Sequence, residues 1–560
     1  MLIDGIEGLT DQRGRVVVIG SGPVGLGLAV DLARRGIPVT VLESGEGAAN
    51  PVVQQLSDAQ LTDARRHDEM AVAVARRLGG TSNLWGARCL PFDPIDFTPR
   101  AFVDARWPIG HADLAPYWHR AVQSTASGAD RFETGPLLGR EADNSFTVDR
   151  LERWANVQAA QNVHAEAIRS LPALEVRTRC TVTEIKMASG RADGLTVAHS
   201  LSGETVDIAA DTIVVAAGGI ETTRLLLAAR KVHPALFGGP DGPLGRHYMG
   251  HLIGEIADVT FASNDISRAF DFHVDEHGSY VRRRLVASDR TQIDNRLLNC
   301  AFWPVVAPVA DPRHRSAILS MVYLALSIGP LGRMIVAEAI RRRHALDKPH
   351  RIAAHIRNLI VGAPSAAAFA AQFFWRRYFR PERLPGFFVQ NAANRYGLFY
   401  HSEQAPHPDS RVFLTDRIDR LGLPKLEIDL RFSDQDVDSV VRTHDMLDQW
   451  LRKVGMGALH YRMPQEERGA AVMAQAAHGT HQVGLTRMAA DRTRGVVDAD
   501  LACFDVPNLF LATTAVLPTS GQANPTLTAV ALALRLGDRL AERMTGKTEI
   551  RTPMDKVASL

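Results

Sequence analysis

The sequence predicts an α/β protein with one part on a mostly parallel sheet and a second, α+β part. Two stretches carry that prediction. Between Val16 and Glu43, a β-branched run, a glycine turn, a helical pattern and a second apolar run follow one another. From about residue 256 to 470 the texture changes to alternating segments such as SRVFLTDR and KLEIDLRF, which read as half-exposed strands.

Composition bounds the answer. A chain of 560 residues allows about two to four domains at roughly 150 residues each. Hydrophobic residues at 46% and charged residues at 22% fit a soluble globular protein, and a net charge of +2 gives no reason to expect a nucleic-acid partner. Cys89, Cys180, Cys300 and Cys503 form no CxxC, so no metal site and no disulfide framework are expected. The opening MLIDGIEGLTDQRGR carries acids and lacks the apolar core of a secretory signal. No apolar run reaches the ~18–20 residues that span a bilayer. The expected setting is cytoplasmic.

Val16–Ile19 is a continuous β-branched run, as a buried parallel strand should be. Gly20, Gly22 and Gly25 then form G-x-G-x-x-G around Pro23 and Val24, and a helical pattern runs from about Val24 to Arg35 and ends at Gly36. Val39–Leu42 is the second strand, and it delivers Glu43 and Ser44. The first glycine permits the turn, the second lets backbone approach a diphosphate, and the third lets helix pack on strand. The diphosphate sits at the positive helix N-terminus, and Glu43 is placed to accept hydrogen bonds from a ribose. The unit is Rossmann-like and predicts dinucleotide binding.

The loop RRLGGTSNLWGARC sets Gly80, Thr81, Ser82, Asn83 and Trp85 among glycines. Backbone amides and small hydroxyls there suit a flat polar ring, although a plain turn between helices reads the same way. Ile213–Ala217 followed by Gly218 and Gly219 is a second strand–turn–helix, which either touches the cofactor or allows a close crossing.

Together these blocks resemble the glucose–methanol–choline (GMC) oxidoreductases. The resemblance runs through the opening turn ending in ES, GGTSNLWG, IVVAAGGIETTRLLL, LGRHYMGH and HQVGLTRM, then GVVD and NLFLATTAVLPTSGQANPTLTAVALALRLGDRL, in the family's order. WPIGHADLAPYW is more like the branch holding pyranose 2-oxidase and the fructose and gluconate dehydrogenases. The resemblance implies FAD and an antiparallel sheet that roofs the flavin and forms the substrate pocket. It places the FAD-binding domain at 1–105, 165–255 and 470–545, and the substrate domain at 106–164 and 256–469. Leu84 falls where pyranose 2-oxidase carries a flavin-linked His, so FAD is expected to be noncovalent. Val182, in RCTVTEI, falls where the family sets a valine against adenine. Thr513 and Thr514 replace the family's Asp-Ala-Ser segment.

The family's H-x-x-G-T-x-x-M pattern falls on His481 in HQVGLTRM, with Leu485 in place of the Thr. Its second catalytic member falls on Asn524, just before Pro525 and Thr526, where the last helix opens. Alcohol oxidation needs a C–H aimed at flavin N5, a base for the hydroxyl proton, and a donor that holds the oxygen. An imidazole is largely neutral at pH 7 and suits the base. An amide can hold the oxygen without competing for the proton. Asn524 is also a good helix N-cap. His478 is a rival base, expected to point elsewhere.

Residues 313–383 hold thirteen Arg and Lys against three acids, beside the uncharged run SAILSMVYLALSIGPLG and the cluster AFAAQFFWRRYF. Three readings fit: a helical insertion with a solvated basic face, a peripheral membrane contact, or a site for an anionic polymer. The expected function is FAD-dependent oxidation of a CH–OH group, on a sugar, glycoside or polyol. The alternatives are a lyase-type flavoprotein of the same fold and an oxidoreductase for a hydrophobic alcohol at the membrane surface. The expected acceptor is oxygen or a quinone-like compound.

Overall fold

The computed structural model describes residues 1–137, 143–328, 330, 332 and 351–545. Arg333, Glu338, Arg341, Arg342, Arg343, Asp347 and Lys348 of the basic segment lie outside the described residues.

A seven-stranded sheet underlies one body. Its order is Leu2–Asp4, Leu174–Thr178, Val39–Leu42, Val16–Ile19, Ile213–Val215, Val506–Leu511 and Ala502–Cys503. The strands run parallel except for the terminal hairpin of the last two. Val16–Ile19, Val39–Leu42 and Ile213–Val215 are buried at every residue, which explains their unbroken apolar character. Val16 pairs with Val39 on one side, and Val17 with Ile213 on the other.

The first helix is Pro23–Arg34, with Pro at its start and Gly36 in the left-handed region just past its end. It packs against the long helix Thr526–Thr545, and a Cβ on Gly27 would lie 3.7 Å from Val530. Two of the three glycines of the opening turn, Gly20 and Gly25, are steric necessities. Gly20 has φ +103°, and a Cβ there would sit 2.6 Å from the Ala216 carbonyl oxygen. A Cβ on Gly25 would sit 2.2 Å from the Gly20 carbonyl oxygen.

An eight-stranded antiparallel sheet forms the second layer. Its main path is Gly457–Tyr461, His251–Phe261, Arg395–Glu403, Cys300–Val305, Tyr280–Ala287, Phe146–Trp154 and Arg88–Cys89, with His273–Val274 on the side. The helix Asp434–Lys453 covers its outer face, begun by a capping box of Ser433 and Asp436. Val440, Leu447, Trp450 and Leu451 join the apolar core under that helix.

SRVFLTDR and KLEIDLRF do form strands, Arg411–Ile418 and Pro424–Asp429, but not in this sheet. They pair with each other antiparallel, and Pro424–Asp429 also pairs in parallel with Ala59–Leu61, so Leu426 faces Ala59. The antiparallel roof comes from strands that were not singled out in the sequence.

The basic segment is helical where described: Ala317–Ser327, Ile352–Val361 and Ala363–Tyr378. Leu319, Val322, Tyr323 and Leu326 make a small core with Phe369 and Phe387. Among the described residues, no helix is long and apolar enough to cross a membrane.

Replacing Gly25 by Ala drives a methyl into backbone that cannot retreat. We expect a loss of about 1–3 kcal/mol, read as a lower thermal midpoint. An unchanged midpoint would mean that helix and turn are not in contact as described.

Candidate active site

A large cavity of about 1240 Å³ runs between the two sheets. The opening turn lines it with Gly20, Gly22, Pro23 and Val24, and the second strand adds Glu43 and Ser44. A Cβ on Gly22 would meet no atom within 4 Å. That open space lies at the N-terminus of Pro23–Arg34, where backbone N–H groups favour a phosphate. Glu43 is held in place by Ser21, whose backbone N–H and hydroxyl donate at 3.0 and 2.5 Å, and by the Gly45 N–H at 2.7 Å.

Further along, the wall takes in Gly80, Thr81, Ser82, Leu84 and Trp85 from the Gly-rich loop, and Val182. Ala217, Gly218, Thr513, Thr514 and Thr526 complete the predicted set on the wall. Gly25, Asn83 and Pro525 stand behind it. Gly25 supports the turn, and Asn83 braces the loop by donating to the Leu78 and Gly80 carbonyls at 3.0 and 2.8 Å. Pro525 begins the last helix, where its carbonyl accepts from the Ala529 N–H at 3.0 Å.

His481 and Asn524 meet. The Asn524 amide nitrogen lies 3.1 Å from His481 Nε2. Two backbone features bring His481 inward: Met249 and Val483 form an antiparallel bridge, and Gly484 has φ +88°, with a Cβ there only 2.1 Å from the His247 carbonyl oxygen. Asn524 follows Gly521, at φ +56°, in the turn that opens the last helix.

A guanidinium decides the direction of these hydrogen bonds. Arg88 donates to the Asn524 carbonyl oxygen at 2.8 Å. Arginine is a donor only, so the amide NH₂ must point to His481, and His481 Nε2 must accept. The ring proton is then on Nδ1, which donates to His251 Nδ1 at 2.9 Å. Arg88 is itself fixed by the buried Glu152, at 2.5 Å, and Arg282 holds the same carboxylate at 2.6 Å. Burial alone would raise the Glu152 carboxyl; Arg282 and Arg88 overcome it and leave it below its usual value.

Three further histidines surround the pair. His401 is stacked on His251 at 4.3 Å and donates from Nδ1 to the Gln522 carbonyl at 2.5 Å. His478, expected to point elsewhere, instead lies inside with its ring 4.5 Å from that of His481. Its backbone N–H is bound to the Arg66 carbonyl, and Gly250 leaves room for its side chain. One nitrogen from each of His251, His401, His478 and His481 falls within 4.8 Å of the others, a cluster not foreseen in the sequence. Two imidazoles on one tetrahedral zinc stand roughly 3.3 Å apart, given metal–nitrogen bonds of about 2.0–2.1 Å. The 2.9 Å contact of His251 with His481 is instead that of a shared proton.

Burial, then His478, His251 and Arg88, hold His481 well below the ordinary histidine value. His251 and His401 are likewise lowered, chiefly by burial. All three are therefore neutral at pH 7, and His481 keeps a lone pair at Nε2. Arg88, Glu152, His251 and His401 were missed in the sequence. Arg88 was legible as part of WGARC and His251 as the end of LGRHYMGH, but neither spacing revealed a partner.

Known proteins resemble this chain. Residues 15–323 match the family model described as FAD dependent oxidoreductase, and residues 406–533 match that described as GMC oxidoreductase. A 2-methyl-1,2-propanediol dehydrogenase from Mycolicibacterium austroafricanum is 24% identical, over 96% of this chain and 97% of that protein. A paromamine 6'-oxidase from Streptomyces fradiae is also 24% identical, over 96% and 93% respectively. In fold, the chain is similar to the crystal structure of pyridoxine 4-oxidase from Mesorbium loti, with a TM-score of 0.54, 18% identity, and coverage of 95% of this chain and 99% of that one.

The lowered histidines carry a stability cost at acid pH. The unfolded chain takes up protons near pH 6.5, while the folded site takes them up only at lower pH. Stability is thus complete above about pH 6.5 and falls as pH drops toward the folded values. Denaturant midpoints measured from pH 8 to pH 5 should decline below about pH 6.5, and less steeply in His251→Gln. A flat profile would contradict the neutral cluster.

Proposed function

Because the chain belongs to the FAD-dependent oxidoreductases, as a GMC-type member, we propose that it oxidises a CH–OH group of a sugar, glycoside or polyol to a carbonyl. His481 is the general base and Asn524 the donor that holds the oxygen. The observation that carries this reading is the hydrogen-bonded chain from Arg88 through Asn524 to His481 Nε2.

FAD, when bound, supplies a two-electron acceptor for the hydride. Gly20, Gly22, Pro23 and Val24 would hold its diphosphate, Glu43 a ribose hydroxyl, and Val182 the adenine side. Thr81, Ser82 and Trp85, with Ala217, Gly218, Thr513, Thr514 and Thr526, would face the rest of the cofactor. Leu84 on the wall carries no group that can bond to the flavin, which supports noncovalent binding.

Within the cavity, an alcohol hydroxyl replaces the Asn524–His481 contact. His481 Nε2 takes the hydroxyl proton, and the Asn524 NH₂ donates to the oxygen as negative charge develops. The His481 imidazolium is stabilised by donating from Nδ1 to His251. Asn524 cannot rotate away, because Arg88 holds its carbonyl. Trp303, under the guanidinium of Arg88 at 4.7 Å, and Phe399, stacked on Trp303, form an apolar floor beside these groups. Such a floor suits the C–H face of a sugar ring or polyol.

The division of labour follows the sheets. The parallel sheet with its glycine turns is the cofactor body, and the antiparallel sheet supplies the substrate side, including His251 and His401. The acceptor is oxygen or a quinone-like compound, and the helices described within residues 313–383 are a peripheral membrane contact. The dehydrogenase and oxidase names of the two relatives support alcohol oxidation over a lyase reaction.

His481→Ala should keep its yellow colour yet lose anaerobic flavin reduction by substrate about 10²–10⁴-fold, the usual worth of a positioned base. Asn524→Ala should lose less. Near-native bleaching in His481→Ala would remove the base from the scheme. In the wild type, the lowered pKa places the acid limb of the reduction rate below pH 6.5, the ordinary histidine value. Acid precipitation should release the flavin into the supernatant; colour retained in the pellet would mean a covalent link.

A further inference from the structure

The helices Ile352–Val361 and Ala363–Tyr378 turn one side inward and leave the other bare. On the inner side, His355 is buried, stacks on Tyr323 at 4.2 Å, and meets the Ser320 hydroxyl at 3.1 Å. Asn358 donates to the Pro312 carbonyl at 2.8 Å. Phe373 reaches the reaction cavity alongside Val322 and Leu326. These contacts fix which side faces out.

On the outer side, Ile352, Ile356 and Ile360 recur at a spacing of one helical turn, with Val361 next to them; they are 51%, 45%, 72% and 80% exposed. Phe374, Trp375, Tyr378 and Phe379 stand exposed at the end of the second helix, stacked in the pairs Phe374–Tyr378 and Trp375–Phe379. Among the described residues, these four are all of the exposed large aromatics. Soluble surfaces seldom gather so many apolar side chains without a partner. Arg357, Arg376 and Arg380 are exposed among them, and no acid occurs between Ile352 and Tyr378.

We infer that this helical pair docks on an anionic lipid surface. Isoleucines and phenylalanines enter the acyl boundary, tryptophan and tyrosine sit at headgroup level, and the guanidiniums meet lipid phosphates. The longer helix has 16 residues, and no described helix can span, so the face lies on the bilayer and does not cross it. Docking stands independently of the proposed oxidation; its consequence rests on that reading. The helix that carries Trp375 also carries Phe373, so docking brings a wall of the cavity against the membrane. An alcohol or an acceptor dissolved in the bilayer then has a short route to the flavin.

The test is flotation of the holoprotein with vesicles of phosphatidylcholine alone or mixed with phosphatidylglycerol. The wild type should float with the mixed vesicles and lose that binding as salt rises. Trp375→Ser with Phe379→Ser should stay at the bottom. Arg357→Gln with Arg376→Gln should bind about 30-fold more weakly, since each cation near the surface is worth about fivefold. Each variant is checked for flavin absorbance and anaerobic bleaching, which report fold and oxidation separately. Wild type that stays down with mixed vesicles, or variants that float equally well, overturns the docking. So does sedimentation showing that the wild type pairs through this face while the serine variant is monomeric and neither floats. Normal flotation with no bleaching instead strikes the proposed oxidation.

Discussion

The hydrogen bond from Arg88 to the Asn524 carbonyl sets the direction of everything around it. An amide can present either end, and an imidazole either tautomer, so a His–Asn pair alone has no defined sense. A guanidinium offers donors only, and one such contact resolves both ambiguities. Glu152 and Arg282 hold that guanidinium in a buried ionic cluster. Such clusters contribute little net stability, because desolvation offsets most of the attraction. What this one contributes is orientation of the pair proposed to take up the hydroxyl proton.

That contact also joins the two layers. Arg88 lies on the last strand of the antiparallel sheet, opposite Trp154, while Asn524 belongs to the turn ahead of the helix that packs on the nucleotide-binding body. His251 and His401 come from adjacent strands of the antiparallel sheet, and His481 from the returning loop. Each layer has its own apolar core, yet the proposed chemistry sits where the two layers meet. Distances there depend on how the sheets sit together, so a buried, short-range cluster of ions and imidazoles is a sensible seam.

Much of this was legible in the sequence. The first strand, the helix from Pro23 and the second strand fall where the pattern predicted, because a buried parallel strand and a glycine turn each leave strong local signatures. His481 and Asn524 were recognisable from their flanking motifs, and the structure brings them within hydrogen-bond reach. The supporting residues were not. Arg88 meets Asn524 across 436 residues of chain, and its spacing to Glu152 has no period that a strand or helix would impose. His478 was misjudged because a turn was assumed to fan successive histidines apart, whereas the backbone bond to Arg66 turns it inward. The strands at 411 and 424 were correctly read as strands but assigned to the wrong sheet, since alternation reports a half-buried face and not its neighbour.

The parallel sheet has a consequence for how the molecule is made. Ile213–Val215 lies between Val16–Ile19 and Val506–Leu511. During synthesis, the early strand can pair on one side at once, but its other edge waits for nearly three hundred more residues. A ribosome-bound chain therefore carries an open, apolar β edge for much of its elongation, an invitation to chaperones and to misassembly alike.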